Sequence, residues 1–356
     1  MTRHSQPITN PIELTPWHFD QNLMTAAHKK RPRITGRAAK IILGVCPALV
    51  LLTAFAVAKV LNPVSTVPMD SNVLEKTTDL YGNPQPTRID GYGDDCMEPF
   101  ITGDGNYLLF NNSNSPFVDT HIHLCKRIGE NHFQHLGILA GSVSKSKDMA
   151  PTIDAEGQLF YTCLLSYEKD GQSIYCGNFA GETLKNIAPA KGDISPRKPG
   201  EINMDCDISN DGKTLVLSRA HFANPFLPPD KSDLAIAEKK NGKFSLNPKI
   251  QSVLSKLNTS ALEYAPCQTA DQLELYYTRA SKKAAAADAK KLEPYFRIMV
   301  ARRNNRFSAY GEPEKLEALT GFIEAPTITK DKQEMFFHKK VGEKFRIFRA
   351  KRNVQP

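Results

Sequence analysis

The sequence predicts an all-β protein, a five-bladed β-propeller closed by an N-terminal strand and preceded by one transmembrane helix. Three observations carry that expectation. Five stretches repeat one strand–turn–strand pattern, each is followed by a second strand motif, and residues 41–58 contain no charge.

Residues 1–40 are polar, contain proline and turn basic toward their end. So few apolar positions cannot bury a core, and a disordered cytoplasmic tail is expected. The segment "IILGVCPALVLLTAFAVA" at 41–58 follows. At about 1.5 Å per residue it nearly crosses a hydrocarbon core of about 30 Å. Lys59 can snorkel and Val60-Leu61 extend the span to residue 61. The basic cluster from Lys29 to Lys40 places the N-terminus in the cytoplasm by the positive-inside rule. The expected topology is therefore single-pass, with the large domain outside the cytoplasm. Ala56-Val57-Ala58 also fits a signal-peptidase site, but a 40-residue leader is long for a cleaved signal and favours an anchor. Residues 62–80, with Pro63 and Pro68, read as a linker, and 81–356 as the propeller.

The net charge of +8 is misleading until it is located. Residues 1–60 hold eight basic and two acidic residues, so the remainder is only +2. A nucleic-acid partner needs a clustered basic surface and is not expected.

The repeats begin with "EPFITGDGNYLLFNN" at Glu98. They continue as "APTIDAEGQLFYTC" at Ala150, "DCDISNDGKTLVLSR" at Asp205, "APCQTADQLELYYTR" at Ala265 and "APTITKDKQEMFFHK" at Ala325. The acidic turn residue falls at Asp104, Glu156, Asp211, Asp271 and Asp331, spaced by 52, 55, 60 and 60 residues. Later strand motifs start at His121, Ser173, Asp233, Arg297 and Arg346. A repeat of this length, rich in short strands, reads as propeller blades. An Asp-Gly turn suits the corner, since Asp bonds nearby backbone and Gly accepts positive φ. Gln272 and Lys332 replace that Gly in the last two copies, where a different turn type is expected. "KIQSVLSKLN" at 249–258 has helical apolar spacing and reads as a connector on the rim.

The "PxxTxDGxxLxF"-like stretches resemble the TolB-type, WD-like propeller repeats of bacterial envelope proteins over about residues 81–352. The resemblance implies the fold and, with the anchor, a bacterial inner-membrane address with a periplasmic propeller; it leaves the activity open, because propellers host many chemistries.

The last repeat has no fourth strand of its own. Tyr-Gly-x-Pro occurs both at Tyr310 and at Tyr81, so residues 85–91 are expected to supply the missing strand and close the ring. Cys163 and Cys176 flank the Lys169-Asp170 turn at equal distance, which suggests a disulfide across two strands. His121 and His123 alternate on one strand, but sister positions hold Met299 and Phe348, so packing rather than a metal is expected. No metal or cofactor is assigned.

Function is expected on the face that holds the starts of the first strands and the ends of the second. The long loops 220–232 and 280–294 lie there too. The candidate binding residues are Glu98, Asn112, Asp205, Arg219, Glu263, Arg279 and Lys339. The strand-start acids are Glu98, Asp148, Asp205, Glu263 and Glu324, with Glu324 read as one residue out of phase. No GxSxG, HExxH, Walker or Rossmann signature is present. The leading expectation is therefore a binding or scaffold module for a protein, peptide or glycan. The alternative is a glycoside hydrolase or lyase using carboxylates near the axis. A weaker third reading clamps an anion with Arg219, Arg279 and Lys339.

Overall fold

The computed structural model describes residues 75–114, 118–142, 147–224, 229–281 and 296–353. The tail, the apolar segment 41–61, the linker up to residue 74 and the lysine-rich loop 282–291 lie outside these residues. Among the described residues no helix is long and apolar enough to cross a membrane.

Three short strands come first: β1 (Thr77–Thr78), β2 (Tyr81–Pro86) and β3 (Arg88–Asp90). The first antiparallel meander is β4 (Met97–Ile101), β5 (Tyr107–Asn111), β6 (Ile122–Gly129) and β7 (His132–Ile138). The second is β8 (Asp148–Ile153), β9 (Gln158–Ser166), β10 (Gln172–Ala180) and β11 (Thr183–Pro189), with one helical turn, α1 (Tyr167–Asp170), between β9 and β10. After β12 (Gly192–Asp193) the third is β13 (Glu201–Ile208), β14 (Thr214–His221), β15 (Lys231–Lys240) and β16 (Lys243–Leu246). A connector helix α2 (Pro248–Gln251) precedes the fourth: β17 (Leu262–Gln268), β18 (Glu274–Ala280), β19 (Phe296–Arg302) and β20 (Glu314–Leu316). The fifth has β21 (Ile323–Ile328), β22 (Glu334–Val341) and β23 (Lys344–Arg352). One parallel bridge, Ser232 to Leu262, joins the third and fourth meanders into a single sheet. The arrangement is an all-β propeller.

The fifth meander takes its outer strand from the N-terminus. β2 pairs with β23, Tyr81 opposite Arg352 and Pro86 opposite Phe348. The closing strand is thus residues 81–86 rather than 85–91. The chain then leaves this edge, and β3 runs parallel to β7 on the first meander. β1 pairs with β20 on the fourth. One N-terminal strap therefore holds three neighbouring meanders and covers their edges. Tyr81 anchors it: the side chain is fully buried, packs edge-on against Tyr276 at 5.9 Å and donates to the Lys332 carbonyl at 2.7 Å.

Each first strand carries a bulge just before its Pro-like residue. Four of these residues sit in the left-handed region, with φ of 48° at Glu98 and Ala150, 49° at Ala265 and 54° at Ala325. Each bulge residue costs about 1 kcal/mol in that conformation. The neighbouring meander offsets it. The bulge N–H of Ala150 donates to Asn111 Oδ1 at 3.2 Å, and that of Ala265 to Ser218 Oγ at 3.0 Å. Ala325 donates to Thr278 Oγ1 at 3.0 Å, and Glu98 to His338 Nδ1 at 3.1 Å. Between the second and third meanders Thr162 Oγ1 instead donates to the Met204 carbonyl at 2.8 Å. The same second-strand position therefore staples each meander to the next.

The corners keep positive φ even without glycine: 60° at Gln272 and 63° at Lys332, beside 75° at Gly105 and 67° at Gly212. The expected change of turn type does not occur, because the Asp side chain fixes the turn. Asp271 Oδ1 accepts the Leu273 N–H and Asp331 Oδ1 the Gln333 N–H, both at 3.0 Å. In the second meander Asp154, not Glu156, does this, accepting from Glu156 at 3.0 Å and Gln158 at 2.8 Å.

The connector after β16 is one α turn followed by a 3₁₀ turn at Ser252–Leu254. It buries Val253, Leu254 and Leu257, as its apolar spacing predicts. Its Gln251 and Asn258 side chains also satisfy the edge of β15, bonding both the N–H and the C=O of Ile236 and Leu234 respectively.

Candidate functional site

Strand alternation decides which residues reach the axis. The stapling residues Asn111, Thr162, Ser218, Thr278 and His338 face inward between meanders and are buried. Asn112, Cys163, Arg219, Arg279 and Lys339 come one residue later, on the opposite side of their strands. Four of these are candidate binding residues, and none meets the others at the axis. Asn112 closes its own loop, donating to the Asp119 carbonyl at 2.9 Å and accepting from the His121 N–H at 2.8 Å. Arg219 lies 4.0 Å from Glu201 and lines a side groove with His221, Lys231 and Asp233. Lys339 sits 5.7 Å over the Phe348 ring. Arg279 holds the fully buried Glu263 through Nε–Oε1 at 2.9 Å, and Thr259 donates to the same carboxylate at 2.6 Å. Glu263 and Arg279 are thus a structural ion pair, and the three cations form no common clamp.

The strand-start acids fall in three phases. Glu98 and Asp205 directly precede the Pro-like residue, Glu324 stands two before it, and Asp148 and Glu263 stand three before it. Glu98, Asp205 and Glu324 converge, so Glu324 belongs at the axis after all. All three are buried, with relative exposures of 8%, 6% and 5%. Glu324 accepts from the Tyr264 hydroxyl and, through its other oxygen, from His338 Nε2 at 3.0 Å. Since His338 Nδ1 accepts the Glu98 N–H, the imidazole proton sits on Nε2. Glu98 Oε1 accepts from Asn114 at 2.9 Å, and Asp205 Oδ2 from the Ala265 N–H at 3.1 Å.

Burial and the charges of Asp205 and Glu324 push the Glu98 carboxyl up to about 8. Burial pushes Asp205 up to about 6, against its bonds to Ala265 and Ser218. Asp207, two residues further along the same strand, is pushed up to about 7 by burial although Gln268 and Thr152 bond it. Sequence reasoning missed His338, Tyr264, Asp207 and Gln268. Parity gave no signal, because both faces of each second strand are buried: counting by twos, Leu109 leads to Asn111 but Phe110 to Asn112, and Phe336 leads to His338 but Phe337 to Lys339.

Beside Glu98 and Asp205 the axial space is a cavity of about 30 Å³. Toward the Asp-Gly corners it opens into a cavity of about 450 Å³, which shares Phe100, Asp207, Cys267 and Thr327 with the narrow part. Among the described residues no group of three or more His, Cys, Asp or Glu has the geometry of a metal site. No disulfide joins Cys163 to Cys176. The register shifts between Gln172 and Ile174, so Cys176 lies opposite Phe160 and the two thiols are not across from each other.

No family model and no curated protein matches the chain. Several solved structures resemble it. TolB from Acinetobacter baumannii is 11% identical, with a TM-score of 0.42, over 74% of this chain and 56% of that one. The Dos1 propeller is 9% identical, with a TM-score of 0.35, over 68% of this chain and 52% of that one. A thermostable family-43 glycoside hydrolase is 11% identical, with a TM-score of 0.42, over 76% and 98% respectively. The chain thus spans little more than half of that TolB and of the Dos1 propeller.

Proposed function

We propose that the protein is a five-bladed propeller, tethered to a bacterial inner membrane by residues 41–61, that binds a protein, peptide or glycan outside the cytoplasm. The uncharged segment and the basic cluster before it support the tether and its orientation. The five meanders and the closing β2–β23 pairing support the blade count.

One observation favours binding over catalysis. Glu98 and Asp205 line only about 30 Å³, and two axial acids already bond a neighbouring meander: Asp205 accepts from the Ala265 N–H and Glu324 from the Tyr264 hydroxyl. That volume suits about two waters and is far below the several hundred Å³ of a small-molecule site. The test is a peptide and glycan array probed with the full chain in detergent, repeated with Arg219→Ala and Lys339→Ala on the loop-bearing face. Loss of a hit in either variant supports this face, and identical arrays from all three proteins count against it. The tether is tested by protease treatment of spheroplasts, which should leave only the N-terminal fragment protected.

A second reading rests on Glu98 and Asp205, which lie buried without a Lys or Arg partner and are held above the usual carboxylate range. It makes the protein a glycoside hydrolase or lyase. Release of reducing sugar that is lost in both Glu98→Gln and Asp205→Asn would establish it. Absence of turnover on a broad polysaccharide panel would remove it.

A further inference from the structure

The wide end of the axial channel lies on the corner face, opposite the face proposed above. Its volume of about 450 Å³ is within the range of small-ligand sites. Three acids line it, Asp104, Asp154 and Asp207, against one cation, the exposed Lys330. One wall is apolar and aromatic: Phe100 and Ile153, with Tyr107 and Phe179 meeting edge to face at 6.0 Å.

The floor carries an unmet polar demand. Gln268 is 9% exposed, and its Nε2 donates to the Asp207 carbonyl at 3.0 Å and to Asp207 Oδ2 at 3.3 Å. With that end fixed on Asp207, Oε1 is turned away from it and has no hydrogen-bond partner among the described residues. Asp207 itself is nine-tenths buried, accepting from Thr152 Oγ1 at 2.9 Å and from the Gln268 N–H at 2.7 Å, with no cation beside it. Among the described residues the floor therefore presents acceptors and no charged donor, and a cation bound there would favour the ionised form of Asp207.

We infer that this cavity is a second binding site, for an ammonium or guanidinium group on an alkyl stem, such as a lysine or arginine side chain or a polyamine. The stem lies along the aromatic wall, where a cation also gains from the ring faces. The head meets the Asp154 and Asp207 carboxylates and replaces the Gln268 amide on Asp207 Oδ2, which frees that amide to turn Oε1 toward the head. Hydroxyl-rich ligands use the acceptors but not the charge, and anions are opposed by Asp104 and Asp154.

The test is isothermal titration of the full chain in detergent with n-butylammonium, Nα-acetyl-lysine amide and spermidine, and with n-pentanol and methyl glucoside as neutral controls. Asp154→Asn keeps the oxygen that caps the turn and removes the charge. Lys330→Ala removes the competing cation at the mouth. The cations should bind and the controls should not. Asp154→Asn should weaken binding about fivefold, and Lys330→Ala should strengthen it about twofold, as for partly exposed ion pairs. Spermidine binding without acetyl-lysine amide identifies a free polyamine, and the reverse identifies a side chain. Either supports the site. Butylammonium and pentanol binding equally, methyl glucoside binding more tightly than the cations, or neither substitution moving the affinity would overturn it.

Discussion

Replacing Glu98 by Gln should make the propeller more stable than the parent as pH rises above about 4.5, with the full gain reached near pH 8. The carboxyl is buried and pushed from 4.5 up to about 8, mainly by burial and then by the charge of Asp205. The unfolded chain ionises this group near 4.5, whereas the folded chain keeps it protonated until about 8. Folding stability therefore falls as pH rises through that window, and is not further changed above it. At about 1.4 kcal/mol per pH unit the loss is at most about 5 kcal/mol. Asp205 shares the same field, so about 2–3 kcal/mol is the expected gain for the single variant. Gln keeps the acceptor oxygen for Asn114 and leaves the backbone bond to His338 untouched. The assay is urea unfolding at pH 4.5 and pH 8.5, followed by circular dichroism at a strand wavelength. Tryptophan fluorescence is unsuitable, since the one tryptophan, Trp17, lies in the N-terminal stretch. The variant should match the parent at pH 4.5 and exceed it at pH 8.5. An equal difference at both values would refute the burial argument.

Other perturbations test the remaining parts. Arg279→Ala leaves Glu263 buried without its cation and should cost about 3 kcal/mol in urea unfolding; the double variant Arg279→Met with Glu263→Leu should recover most of that. Thr278→Val removes the acceptor for the Ala325 N–H and should cost about 1–3 kcal/mol, with faster hydrogen exchange at that amide. Gly212→Ala places a Cβ at φ 67°, 2.6 Å from Asp154 Oδ2, and should lower stability by about 1–2 kcal/mol. Alkylation of the unfolded, unreduced protein followed by peptide mapping should label both Cys163 and Cys176; a linked peptide would contradict the register of β9 and β10.

The repeats were legible because a propeller blade is a local object. Each strand–turn–strand unit is specified within about fifteen residues, by buried alternation and an Asp that bonds its own corner. That is also why the last two corners survive without glycine: the side-chain bond is local, and it outweighs the backbone strain at Gln272 and Lys332. The closing strand was legible in kind, from the repeated Tyr-Gly-x-Pro, but misplaced by several residues. Its register is set by Tyr81 finding Tyr276 and the Lys332 carbonyl, contacts about 200 residues or more away in sequence.

The candidate site was legible only in part. Glu98 and Asp205 stood out because each directly precedes the Pro-like residue, where a bulge turns the chain. Arg279 and Lys339 looked equally apt by position, yet one residue of strand parity sends Arg279 to Glu263 and Lys339 to Phe348. Glu324 looked out of phase and is at the axis, because the bulge breaks the simple count between Glu324 and Thr327. The sequence by itself determined the repeat, the turns, the apolar segment and where the charge lies, since each depends on neighbours along the chain. The tertiary structure alone decided which acids share the axis and that the wide cavity opens on the corner face. Those outcomes depend on how separate blades meet, and no window of sequence holds both sides of a seam.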